Sequence, residues 1–217
     1  MWDSDGGVGL VWQTRRMALP DSFITVGDDG NTRCWWCGTD PLYVRYHDDE
    51  WGRRVTDDTR LFEKLCLEGF QSGLSWLTIL RKRENFRAAF DDFDVDKIAS
   101  YTDGDVVRLL GDAGIVRHRG KIESTINNAR RAIELHESAG SLARYVTQYA
   151  VGTPVRTDGP MPIPSTSPQS IAMSKDLKRR GWSFVGPTTM YAFMQAMGLV
   201  NDHLDGCWVK DECGPNR

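Results

Sequence analysis

Thiols and imidazoles stand in two distant stretches of this sequence, Cys34 and His47 early, His203 and Cys207 late. The His-x-x-x-Cys interval of the later pair puts both side chains on one face of a helical turn. Two nitrogen and two sulfur donors suit zinc, and a tetrahedron that uses all four leaves no position for substrate or for an attacking water. Such a site ties distant parts of a chain together instead of reacting. The spacing alone fits unrelated buried thiols and hydrogen-bonded histidines equally well, and Cys37, which forms Cys-x-x-Cys with Cys34, can stand in for His47. Cys66 falls on an apolar helix face and reads as core, while Cys213 falls in a tail expected to be mobile.

A carboxylate among aromatics is the next reactive feature. In Leu67-Glu68-Gly69-Phe70-Gln71-Ser72-Gly73-Leu74-Ser75-Trp76, Glu68 closes an apolar run near two glycines and a tryptophan. An acid drawn into an aromatic pocket needs hydrogen-bond donors or a cation, and a flat, positively charged heterocycle stacked on a ring supplies both. The plainer reading is a glutamate that caps a loop or faces solvent. Further on, Lys178, Arg179, Arg180 and Gly181 lead into Phe184-Val185-Gly186-Pro187, read as a tight hairpin, and then into a helix whose first turn holds Thr188 and Thr189. Backbone N–H groups at such a turn and helix start bind phosphate without reading sequence. Arg117, His118, Arg119 and Lys121 form a second basic cluster. Either cluster alone reads as a solvated face. Two of them in a chain of net charge -3 point to a localised anion site. The same balance, 27 basic against 30 acidic residues, excludes a protein that coats nucleic acid by bulk charge.

These side chains need a scaffold, and 217 residues that are 40% hydrophobic can bury one core. Charges interrupt every apolar run, so no membrane span is expected. Residues 1–20 lack the sustained apolar stretch of a secretory signal, and a cytoplasmic protein is expected. Five cysteines in a reducing compartment then read as metal ligands or buried thiols, not as a disulfide framework. Asp57, Asp58 and Thr59 offer N-cap chemistry to a helix that buries Leu61, Phe62, Leu65 and Cys66 and runs toward Glu68, with Gly69 and Gly73 marking its end or a kink. Leu77, Leu80, Phe86, Ala89 and Phe90 suggest a helical pair. Ile122, Ile126, Ala129 and Ile133 form a helical stripe that Gly140 stops. The proline-rich stretch 152–170 reads as a long connection, with a helix resuming near Ser170. Residues 1–32 read as a flexible extension, with the folded body beginning at Arg33. No alternating strand emerges, and the class is all-α.

Several long blocks, CWW, DPLYVRYHDDEWG, LFEKLCLEGFQSGLSW, DAGIVRHRGKIESTINNAR and SKDLKRRGWSFVGPTTMYAFMQAMGLVNDHLDGC, follow one another in this order. Together they closely resemble the 3-methyladenine DNA glycosylase I family of the helix-hairpin-helix DNA glycosylase superfamily, from about Arg33 to Cys207. The resemblance implies a mainly helical fold in which a hairpin binds the DNA backbone, a single glycosylase domain over 33–211 and a tail over 212–217. It implies one structural zinc per chain joining the two ends, with Cys34, His47, His203 and Cys207 at the matching positions and Cys37 outside the set. Glu68 matches the carboxylate that hydrogen-bonds the excised base and Trp76 the ring that stacks on it, with Tyr46, Trp51 and Trp36 at other aromatic positions of the pocket. Gly186 matches the hairpin, Thr188 follows it, and Gly73-Leu74 lies where a wedge enters the gap left by an extruded nucleotide.

The implied reaction is hydrolysis of the N-glycosidic bond of 3-methyladenine in alkylated double-stranded DNA, releasing the free base and leaving an abasic site. Methylation at N3 makes adenine cationic and weakens that bond, so recognition of a flipped-out base carries much of the catalysis. Lyase relatives place a lysine just after the hairpin glycine. Here the stretch reads Gly186-Pro187-Thr188-Thr189, which implies a monofunctional enzyme. The usual catalytic aspartate of the superfamily is not evident, and Asp202, beside His203, fits a supporting role at the metal. Two other classes make distinct forecasts. A non-catalytic DNA-binding module would tolerate Glu68→Gln, and a zinc hydrolase would need an open metal position. A monomer with no membrane partner is expected.

Overall fold

A computed structural model of the chain describes residues 23–152 and 162–215, and within them most helices start at a side-chain cap. Helix α1 (Pro41–Asp49) begins where Asp40 accepts from the N–H groups of Leu42 and Tyr43, with Pro41 in the first turn. Helix α2 (Asp58–Gln71) begins where Asp57 accepts from the N–H of Arg60. Helices α3 (Trp76–Arg81) and α4 (Arg83–Ala89) follow, then α5 (Val95–Ala99) and α6 (Asp103–Gly111). The long α7 (Arg119–Ala139) starts at His118 and stops at Gly140, whose positive φ ends it as the sequence predicts. The described residues close with α8 (Leu142–Thr147), α9 (Pro168–Arg179) and α10 (Pro187–Ala196). No helix among them is long and apolar enough to cross a membrane.

Helix α2 is the axis of the molecule. Every residue from Leu61 to Phe70 is buried, and the helix packs against α3, α7, α8 and α10. It does not kink at Gly69. It runs through that residue to Gln71, and the turn comes at Gly73, where φ is +82°. Gly69 serves packing instead, because a Cβ there would meet the Cβ of Phe184 at 3.3 Å. Beneath α2, Phe70 and Phe86 pack with ring centroids 4.6 Å apart, and Phe90 and Phe93 extend the stack. Each such phenylalanine contributes about 1.5–3 kcal/mol of burial. Together they anchor the α3–α4 pair and so fix Trp76 at the start of α3.

One short sheet departs from the all-α expectation. Strand β1 (Ile24–Val26) pairs antiparallel with β2 (Thr32–Cys34), Ile24 opposite Cys34. Strands of three residues are too short to show alternation in a sequence. The hairpin spans the boundary expected between residues 32 and 33, and residues 1–22 lie outside the described part. The carboxyl end comes back to it, since the N–H of Trp208 donates to the carbonyl of Thr32 at 2.9 Å. Cys213, expected in a mobile tail, is buried. Its carbonyl accepts from Asn201, and the next residue, Gly214, donates to Gly52.

The link between α9 and α10 is longer than the hairpin expected at 184–187. Trp182 is buried and donates to Leu177 to close α9, so the turn occupies residues 180–186. Its left-handed residues are Gly181 and Phe184. Gly186 instead has φ -61° and caps α10. Of the long connection, residues 153–161 lie outside the described part, and the helix expected near Ser170 begins at Pro168, capped by Ser167.

Candidate active site

The acid singled out in the sequence is buried, and it is paired. Glu68 is 5% exposed on α2, and one turn earlier Lys64, equally buried, brings Nζ to 2.7 Å from its Oε1. The same ammonium donates to the Tyr46 hydroxyl at 3.0 Å and lies 3.0 Å from the centroid of the Trp76 ring. Burial pushes Lys64 down to about 8, against the pull of Glu68. Burial, with Glu68 and Glu50 nearby, holds the Tyr46 phenol well above its ordinary range, so it stays protonated. Lys64 is the residue that the sequence reading missed. The i, i+4 spacing of Lys64 and Glu68 allowed such a pair, but nothing in the sequence set it apart from a solvated one.

Glu68 and Trp76 open onto a cavity of about 290 Å³ whose walls include Trp36, Tyr46 and Trp51. All four aromatics expected around the carboxylate therefore meet there. Trp36 and Trp51 lie 4.8 Å apart edge to face, and Tyr46 and Trp76 5.4 Å apart. Tyr43, Gln71 and Gln195 are among the further wall residues, none of them anticipated. Gln195 donates to Asp202 Oδ2 at 2.8 Å, as the Tyr191 hydroxyl does at 2.7 Å, so Asp202 is buried behind the α10 wall of the cavity. Aromatic faces around one buried carboxylate suit a flat heterocycle that carries donors or positive charge.

Behind this wall, Cys34, His47, His203 and Cys207 converge, all buried, with their ligand atoms within 4.8 Å of one another. Cys207 Sγ lies 3.5 Å from His47 Nε2 and 3.4 Å from His203 Nδ1, and Cys34 Sγ lies 3.8 Å from His203 Nδ1. A zinc tetrahedron has sulfur–nitrogen edges of about 3.6 Å, so the donor set fits such an ion in chemistry and in size. The outer ring nitrogens are held as well, His47 Nδ1 by Asp48 at 2.7 Å and His203 Nε2 by the Trp51 carbonyl at 2.9 Å. Arg33 reaches Asp48 in turn, which fastens the sheet to α1. Cys37 turns away and donates to the Cys34 carbonyl. Gly52 is required here, since a Cβ would sit 2.9 Å from His203 Nε2 at a φ of +83°. The histidine rings touch the cavity wall, Trp51 against His203 and Trp36 against His47.

The residues expected at DNA lie on the surface, on two loops held by the start of α7. Gly73 and Leu74 form an exposed turn, with Leu74 42% exposed. Buried Lys121 fixes this turn by donating to the carbonyls of Phe70 and Ser72. Ser124 and Asn128 hold the other loop through the Ser183 carbonyl, and His118 packs edge to face on Phe184, which is 38% exposed. Gly186 and Thr188 follow at the start of α10. Arg117, Arg119, Lys178, Arg179 and Arg180 are exposed. Arg119 pairs with Glu123, and Arg179 and Arg180 pair with Asp176.

Residues 36–210 match the sequence profile of the methyladenine glycosylase family. The chain is 50% identical over 177 residues to DNA-3-methyladenine glycosylase 1 of Escherichia coli (strain K12), covering 81% of this chain and 95% of that protein. It is similar to a crystal structure of 3-methyladenine DNA glycosylase I, with a TM-score of 0.77 and 49% identity over 84% of this chain and 100% of the other. A tyrosine-to-phenylalanine variant of 3-methyladenine DNA glycosylase I, solved in complex with 3-methyladenine, matches with a TM-score of 0.77 and 36% identity over 82% of this chain and 97% of its own.

Proposed function

The chain belongs to the methyladenine glycosylase family, and on that premise we propose how this DNA-3-methyladenine glycosylase, a hydrolase of N-glycosyl bonds, reads and releases its base. The alkylated nucleotide is extruded from double-stranded DNA into the cavity, where its face rests on Trp76 and Glu68 accepts hydrogen bonds from its edge, with Tyr46, Trp51 and Trp36 enclosing it. One observation carries this reading: a buried carboxylate beside an indole, in a cavity of about 290 Å³. The complex of a similar protein with 3-methyladenine supports it. Because N3-methylated adenine is already cationic and departs readily, holding that charge is most of the work, and water then attacks C1′ of the sugar.

Helices α9 and α10 act as a helix-hairpin-helix element. The N–H groups beside Gly186 and Thr188 take the DNA backbone, and Leu74 on its Gly73 turn fills the gap left by the extruded nucleotide. Residues 33–211 work as one domain. Cys34, His47, His203 and Cys207 would hold a zinc ion that cross-links the two ends of that domain, and with four protein donors available it would supply no reactive group. The enzyme stops at the abasic site. Among the described residues that line the cavity there is no lysine, and the position after the hairpin glycine is Pro187. Incubation of the protein with methylated double-stranded DNA, followed by chromatography of the released bases, tests the whole reading. Release of 3-methyladenine with the strands intact is expected. Strand cleavage without alkali would end the monofunctional assignment, and no base release would end the pocket assignment.

A further inference from the structure

Lys64 stands behind the cavity wall, outside its lining, without a part in the mechanism above, and it holds the two wall residues that the substrate requires. Its ammonium lies 2.7 Å from Glu68 Oε1 and 3.0 Å from the Trp76 ring centroid, and it is as buried as the carboxylate itself. Within the protein's own packing, therefore, the acceptor and the indole already serve a cation. We infer that Lys64 is a specificity-determining residue that makes capture of a cationic base proton-linked: the positive charge of the alkylated purine takes the place of the Lys64 charge, and the lysine gives up its proton as the base binds. The inference rests on the assignment of Glu68 and Trp76 to base recognition.

Charge bookkeeping sets the direction. With Lys64 protonated, the lysine and Glu68 form a neutral pair, and an incoming cation gains little from the carboxylate while meeting a like charge next to the same ring. With Lys64 neutral, the site carries the full charge of Glu68 in a medium of low dielectric, where attraction for a cation is stronger. The surroundings keep the second state accessible. Lys64 also faces the Tyr46 hydroxyl of α1, and around it stand Glu50, Arg60, Glu63, Arg83 and Arg87. Glu50 is bound to Arg83, and Glu63 to Arg87, so those acids are already matched. Burial then dominates and brings Lys64 down to about 8. The lysine reaches the site from behind, lining a neighbouring void of about 20 Å³, room for one water to carry the proton away. By linkage, whatever a bound cation does to the lysine, the lysine's protonation does to the cation's affinity.

The test compares two ligands over a pH series. A permanent cation, 3,9-dimethyladeninium, carries a methyl where the sugar stands, and the free base 3-methyladenine is uncharged at neutral and alkaline pH. Calorimetric titration of the intact protein should show the cation binding about tenfold more tightly at about pH 9 than at about pH 7, as the neutral fraction of Lys64 rises. Near neutrality, titrations in two buffers of different ionisation enthalpy should count close to one proton released per cation bound. The free base should show neither effect. Lys64→Met should abolish both the slope and the proton release. Lys64→Arg, which keeps the charge at every pH, should bind the cation weakly throughout, so the two variants move in ways a purely structural role would not produce. Cation binding by the wild type with no pH dependence and no proton release overturns the inference and leaves the pocket assignment standing, as does a slope that survives in Lys64→Met. If neither ligand binds the wild type at any pH, the pocket assignment falls and takes the inference with it.

Discussion

Glu68 and Lys64 show what a single position can reveal in a sequence and what it hides. An acid inside an apolar helix run is out of place, which is why Glu68 stood out. A lysine one turn away was invisible by the same logic, because its long stem normally carries the charge out to water, and only the packing of Tyr46, Trp76 and α2 keeps Lys64 inside. The pair makes Glu68→Gln an informative variant. The amide is nearly the same shape, so the cavity keeps its walls, but the charge that meets a cationic base is gone. Charge-assisted hydrogen bonds contribute about 1.5–3 kcal/mol, so single-turnover release of 3-methyladenine should slow by about 10- to 100-fold. Loss of the counter-charge also drives Lys64 toward its neutral form, which spares the fold the cost of an unpaired buried cation, and the variant should melt as a folded protein. Unchanged release would take Glu68 out of the recognition of the base.

Helices were legible wherever a cap and an apolar stripe coincided, as in α2 with Asp57 and α7 between His118 and Gly140. The β1–β2 hairpin was not, because its strands are three residues long and the segment that hydrogen-bonds to it, at Trp208, is far away in the sequence. The α9–α10 turn was half legible. Its glycines marked a turn, but only Gly181 uses left-handed backbone, whereas Gly186 has ordinary φ and an open neighbourhood, in which a Cβ would stand 3.7 Å from Thr189 Oγ1. Nothing among the described residues therefore demands glycine at 186, which leaves room for the close approach of a DNA phosphate proposed above. Gly186→Ala should change stability by less than about 1 kcal/mol, as expected at a helix cap, while weakening binding to double-stranded DNA and leaving affinity for free 3-methyladenine intact. Denaturant titration together with the two binding measurements separates these effects. Equal loss of both affinities would remove the hairpin from the DNA interface.

At the scale of the whole molecule, an acidic chain brings the first and last of its described segments together around a cysteine and histidine group. The later His-x-x-x-Cys interval was readable from spacing, whereas spacing left His47 and Cys37 as alternatives and only the family resemblance chose His47; the fold brings His47 to the other three donors and turns Cys37 to the Cys34 carbonyl. That closure bears on the pocket, because Trp36 and Trp51 are packed on His47 and His203 on one side and wall the cavity on the other. The protein as isolated should contain about one zinc per chain by elemental analysis. Stripping the ion with a strong chelator leaves buried thiols and imidazoles with no common partner, so the melting temperature should drop and excision should fade. The two losses should share one cause. If the indole walls lean on the clasp, affinity for 3-methyladenine should decline with metal content and return when zinc is restored, with no change in the pH dependence set by Lys64. A metal-free protein that kept its melting temperature and its affinity would show that packing of Leu204, Val209 and Cys213 suffices to hold the ends together.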